Sequence, residues 1–186
     1  MAVVINGTSG ITGNTGTLIS ATTIGVGGAT PSASGAGITF PATQNASSDA
    51  NTLDDYEEGT FTPALSATGY TFTYTEQWGS YTKIGNLVTF KVYINPTFST
   101  GSGTVQGIIT GLPFTSSSYR TNYGGVSIFP DNGSQFFSRT GAVRTNPSST
   151  TLLIGNGFGG STIQTTFNWA SMPASLEFEL TGHYYV

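Results

Sequence analysis

A chain of 186 residues with nine acidic and five basic side chains has a formal net charge of −4 and only 8% charged residues, against about 25% in an ordinary soluble domain. Twelve Phe, nine Tyr and two Trp exclude the charged, aromatic-poor type of disorder and favour strands over helices. The bases are scattered at Lys83, Lys91, Arg120, Arg139 and Arg144 and cannot neutralise a run of phosphates, so no nucleic-acid partner is expected.

The chain begins MAVVING, without the basic stretch and long apolar run of a secretory signal. No later apolar run reaches the roughly 20 residues that span a bilayer, so no membrane insertion is expected. Residues 1–53 contain one charged side chain, Asp49, and one aromatic, Phe40. Short apolar groups at Val3, Val4, Ile5, Leu18, Ile19 and Ile24 are separated by Gly-rich steps. None is long enough to bury its own core. The segment therefore reads as an extended Gly/Ser/Thr-rich shaft or docking segment. Neighbouring chains would complete its strands, and those six residues are the oligomer or docking candidates.

Residues 54–59 form an acidic junction. Thr52 can cap a single helical turn and Gly59 can stop it, with Asp54, Asp55, Glu57 and Glu58 expected to splay into solvent. The spacing does not match an EF-hand loop, and no metal is expected.

Residues 60–186 read as a β-sandwich-like or jelly-roll-like distal domain of antiparallel strands. Residues 87–94 alternate cleanly, with Val88, Phe90, Val92 and Ile94 on one face and Leu87, Thr89, Lys91 and Tyr93 on the other. Gly85-Asn86 is a hairpin turn signal. Further strands are expected at 61–65, 70–74, around Tyr81, 105–109, 125–129, 134–137, 150–154 and 162–169. Asp131-Asn132-Gly133 and Asn156-Gly157 read as turns. A last strand at 175–185 sets Leu176, Phe178, Leu180 and Tyr184 opposite Glu177, Glu179 and His183.

Four segments carry a resemblance: residues 35–44 (GAGITFPATQ), 48–63 (SDANTLDDYEEGTFTP), 81–90 (YTKIGNLVTF) and 111–114 (GLPF). Together they resemble tail-fibre-like structural proteins of tailed bacteriophages. Phe61 stands where Trp often follows the Gly-Thr pair of that pattern. The resemblance implies a β-rich, homotrimeric virion component on the tail or capsid surface, docked on other virion structural proteins through its N-terminal segment, a fibre or fibre tip whose distal domain meets host glycan or protein. A capsid decoration or head-fibre protein and a polysaccharide depolymerase are the alternatives.

Catalytic groups are sparse. Glycoside hydrolysis needs two carboxylates across a sugar, and Glu177 and Glu179 read as solvated acids on an outer strand face. His183 is the only imidazole, cysteine is absent, and no serine sits in a nucleophile-elbow setting. The chain is therefore expected not to be an enzyme and to need no cofactor. Receptor contact is assigned instead to Tyr119, Arg120, Asn122 and Tyr123, with Asn156 and Phe158, as aromatic and amide side chains in distal loops.

Overall fold

The computed structural model describes residues 23–99, 104–119, 126–130, 141–159, 162–164, 166–168 and 177–186. The chain divides into two compact units, Met1–Asn45 and Ala46–Val186. In the first, β1 (Thr23–Gly25) and β2 (Gly37–Thr39) form a parallel pair. Ile24 stands opposite Ile38, and the two are 39% and 57% exposed. The candidates Val3, Val4, Ile5, Leu18 and Ile19 lie outside the described residues.

The second unit is all-β, with two sheets packed around one core. The five-stranded sheet has the order β3-β5-β6-β13-β8, from β3 (Tyr56–Phe61), β5 (Phe72–Ile84), β6 (Leu87–Phe98), β13 (Phe178–Tyr185) and β8 (Val126–Pro130). All its pairings are antiparallel. The second sheet is built on β10 (Leu152–Gly159) and β7 (Thr104–Thr110), which pair with each other. Strands β9 (Gly141–Thr145) and β11 (Thr162–Gln164) join β10, while β4 (Ala64–Ser66) and β12 (Thr166–Asn168) join β7.

The sandwich follows from the alternation. Val88, Phe90, Val92, Ile94, Leu180 and Tyr184 project from the first sheet onto Leu65, Ile109, Val143, Leu152 and Ile154 of the second. All are buried. The β5–β6 hairpin turns at Gly85-Asn86, with Gly85 at φ 55° and Ile84 paired to Leu87. Where β3 meets β5, each aromatic ring covers the glycine across from it. A Cβ on Gly59 would meet the Tyr81 hydroxyl at 2.8 Å, and one on Gly79 would meet the Phe61 ring at 2.5 Å. Glycine at both positions lets the rings lie flat on the pleat.

Several sequence expectations change. No helical turn forms at 52–58, because Tyr56–Phe61 pairs with β5 as strand β3. Asp55 does not splay outward but is buried in an ion pair with Lys83, itself 5.6 Å from the Phe114 ring centroid. The expected strand at 61–65 is split at the buried Pro63, which has no N–H to give a ladder. There the chain passes from one sheet to the other. The strand expected at 70–74 begins at Phe72 and runs on through Tyr81 as β5, with a register shift between Tyr74 and Glu76. Asn156-Gly157 is not a turn; it lies within β10, at a register shift that absorbs the irregularity. The expected strand at 162–169 is two strands, β11 and β12, on different partners. The strand expected at 134–137 and the turn at 131–133 lie outside the described residues.

Candidate binding face on the five-stranded sheet

Period-two alternation that buries one face of this sheet presents the other to solvent, in rows fixed by register. Thr82 of β5 faces Thr89 of β6, which faces His183 of β13. Ser80 faces Lys91, which faces Thr181. Trp78 faces Tyr93, which faces Glu179. On β3, Glu58 pairs with Thr82 and Thr60 with Ser80. These rows form an open trough of about 530 Å³, whose lining includes the side chains Glu58, Thr60, Ser80, Thr82, Thr89, Lys91 and Thr181.

One end of the face is aromatic. Trp78 and Tyr93 stack with ring centroids 6.2 Å apart and planes at 23°, and Trp78 is 47% exposed. The Tyr93 phenol donates a hydrogen bond to the Glu177 carboxylate. That bond pushes the Tyr93 pKa up to about 12. At the β3 edge the Tyr56 hydroxyl donates to Glu58 at 2.7 Å, which raises its pKa by the same cause. His183 meets Tyr185 edge-on, with centroids 6.5 Å apart. Lys91 holds no ion pair among the described residues.

The carboxylates fall into two kinds. Glu57 and Glu58 point to opposite faces, and Glu57 accepts from the Tyr81 phenol at 2.5 Å. Glu58 and Glu179 are three strands and several residues apart, on the order of 20 Å, too far to act together on one glycosidic bond. Glu177 and Glu179 are two residues apart, with α-carbons about 6.5 Å from each other by strand rise. Among the described residues no group of three or more His, Asp or Glu side chains could hold a metal ion. No helix among them is long and apolar enough to cross a membrane.

The expected receptor residues do not gather on this face. Tyr119 is 72% exposed, on a segment tied to the end of β13 by the Ser117 N–H to Tyr185 C=O bond of 2.7 Å. Asn156 and Phe158 lie in β10 of the other sheet, at its register shift. Arg120, Asn122 and Tyr123 are outside the described residues. Sequence reasoning missed Trp78, although counting outward from the Gly85-Asn86 turn places it opposite Tyr93.

Three phenols give a pH prediction. Tyr81 is raised to about 12 by its bond to Glu57, Tyr93 to about 12 by Glu177, and Tyr184 to about 12 by burial. An unfolded tyrosine titrates near 10, so the fold holds these protons more tightly than the unfolded chain does. Their contribution to stability is complete below about pH 10 and lost as pH rises towards about 12. Urea midpoints are expected to fall across that window. Phenolate absorbance in the folded protein should lag that of the urea-unfolded chain by more than about one pH unit.

The folded unit is thus an all-β sandwich with a hydroxyl-bearing outer face, and two comparisons show what it is similar to. The chain is 36% identical over 74 residues to a capsule KN4-specific depolymerase of Klebsiella phage K64-1, a match covering 40% of this chain and 10% of that protein. Its fold matches the crystal structure of the Dettilon tailspike protein with a TM-score of 0.53 at 20% identity, over 70% of this chain and 24% of the tailspike. The chain therefore spans about a tenth of the depolymerase and about a quarter of the tailspike. No family model matches it.

The resemblance to tail-fibre-like proteins of tailed phages is borne out, and so are the sandwich fold and the virion-surface location. One expectation is overturned. The chain was expected not to be an enzyme, yet the relative it matches in sequence is a depolymerase. A scarcity of histidine and clustered acids was a poor ground for excluding activity, since glycoside hydrolysis needs only two carboxylates. The comparisons support a phage structural or depolymerase role.

Proposed function

We propose that the chain works in the breakdown of host capsular polysaccharide, as a module of a tail appendage of the depolymerase type. The sequence match to the capsule depolymerase carries this reading. The open outer face supports it, since hydroxyl and aromatic side chains suit a sugar chain better than an apolar protein surface. Glu177 and Glu179, two residues apart on the outer face, are the acids we assign to hydrolysis, which needs a pair of carboxylates, with Glu177 kept as an acceptor by Tyr93. The test is release of reducing ends from purified Klebsiella capsular polysaccharides, KN4 included. Release is expected from at least one, and Glu179→Gln should lower it by about a hundredfold or more. The absence of both release and binding across the whole polysaccharide panel would overturn the reading.

A second reading concerns assembly. We infer a homotrimer joined in part through the first unit, because Ile24 and Ile38 sit side by side, exposed, on a ribbon of two short strands. Such a ribbon cannot bury its own apolar face. Sedimentation equilibrium of the full chain should give a trimer, and Ile24→Asp should shift it towards monomer. A wild-type monomer at micromolar concentration would refute this.

A further inference from the structure

We propose that the outer face of the five-stranded sheet is a binding site for an acidic, uronate-bearing oligosaccharide, with the Trp78–Tyr93 pair as stacking platform and Lys91 as carboxylate anchor. This deepens the polysaccharide reading and rests on it. The stacked rings present an aromatic surface half open to water, and the apolar C–H face of a pyranose can lie on such a surface. Tyr93 cannot swing away freely, since its hydroxyl is tied to Glu177.

Immediately along the sheet, Lys91 stands between Ser80 and Thr181. It pairs with no carboxylate among the described residues. The nearest facing acid by register is Glu179, diagonally across on β13, at a separation on the order of 7–8 Å between α-carbons. In a chain of net charge −4, an uncommitted ammonium among hydroxyls gives the face local complementarity to a single carboxylate. It does not suit a polyphosphate, which would need several cations. Nor does it suit a protein partner, whose stable docking needs a dry apolar centre; here the Lys91 ammonium stands between the hydroxyl-bearing Ser80 and Thr181. Ring, cation and hydroxyls thus fall in adjacent rows, about 7 Å apart along the strands.

The test measures binding of the full chain to a panel of Klebsiella capsular polysaccharides, uronate-bearing against neutral. Trp169→Phe leaves Trp78 as the only tryptophan, so its emission reports occupancy of this face. The expected result is a saturable change in Trp78 emission with a uronate-bearing polysaccharide. Affinity by calorimetry should drop about tenfold or more in Lys91→Ala, with a comparable loss in Trp78→Ala and unchanged thermal melts for both. Three results overturn the proposal. One is a neutral polysaccharide as the best ligand. Another is affinity indifferent to both substitutions. The third is substitutions that alter the sedimentation mass but not sugar binding, which would make the face a contact between copies. Polysaccharide cleaved or bound with Trp78 silent refutes this site alone; no polysaccharide bound or cleaved refutes the functional reading with it.

Discussion

Asp55→Ala is expected to destabilise the second unit by about 3–5 kcal/mol, because it leaves the buried Lys83 ammonium without its anion. Both side chains are almost fully enclosed. Burial already pulls the Lys83 pKa down, with the charge of Asp54 acting the other way. The Phe114 ring face, 5.6 Å from Nζ, offsets only part of a lost carboxylate. Lys83→Met should cost a similar amount by stranding Asp55. The double variant Asp55→Leu/Lys83→Met should recover most of the loss, since a buried pair and a well-packed apolar substitute are often close in stability. Urea unfolding reads all three, with the midpoint moving and the slope unchanged. A single variant within about 1 kcal/mol of wild type would show the pair to be solvated.

That pair also shows where the sequence is hard to read. A DDYEE run looks solvated because each residue is polar and its neighbours are polar. The partner of Asp55 is 28 positions away and meets it only through the β3–β5 pairing. A weak signal was present: Asp55, Glu57, Gly59 and Phe61 share one parity, and Phe61 is an anchor. Treating the run as a strand would have turned Asp55 inward. By contrast, residues 87–94 carry their answer locally. Four apolar side chains at every second position have no other way to be buried together, and Gly85-Asn86 fixes the register of the hairpin.

The same register made half of the candidate face legible. Thr89, Lys91 and Tyr93 read directly as outward-facing, and the turn dictates their β5 partners Thr82, Ser80 and Trp78. What local pattern could not supply is β13, whose residues pair with β6 from 84 or more positions away and which brings Thr181 and Glu179 to the face. The role of Tyr93 was hidden for the same reason, since Glu177, just before β13, comes from 84 positions away. Asn156-Gly157 misled in the opposite direction: a turn-forming dipeptide inside a strand is accommodated by a bulge once flanking strands supply its pairing.

Tyr184→Ala should cost about 3–5 kcal/mol, the range for removing a large aromatic from a packed core. Its side chain has no exposed surface and packs on Phe90 with ring centroids 5.9 Å apart. It is also the polar link between the end of β13 and the chain leaving β7. Its hydroxyl accepts from the Phe114 N–H at 3.2 Å and donates to the Phe114 C=O at 3.1 Å. Tyr184→Phe separates the two contributions. The ring would stay in place, but both backbone groups of Phe114 would lose their partner, at a cost of about 1–3 kcal/mol. The phenylalanine variant should also lose part of the alkaline instability, because one phenol held to about 12 would be gone. Chemical denaturation at pH 7 and again near pH 11 would measure both effects. Equal stabilities for Tyr184→Phe and wild type at pH 7 would mean that water replaces the hydroxyl at Phe114, and a loss near 5 kcal/mol in Tyr184→Phe would mean that the link, rather than the ring, holds the two sheets together at this end.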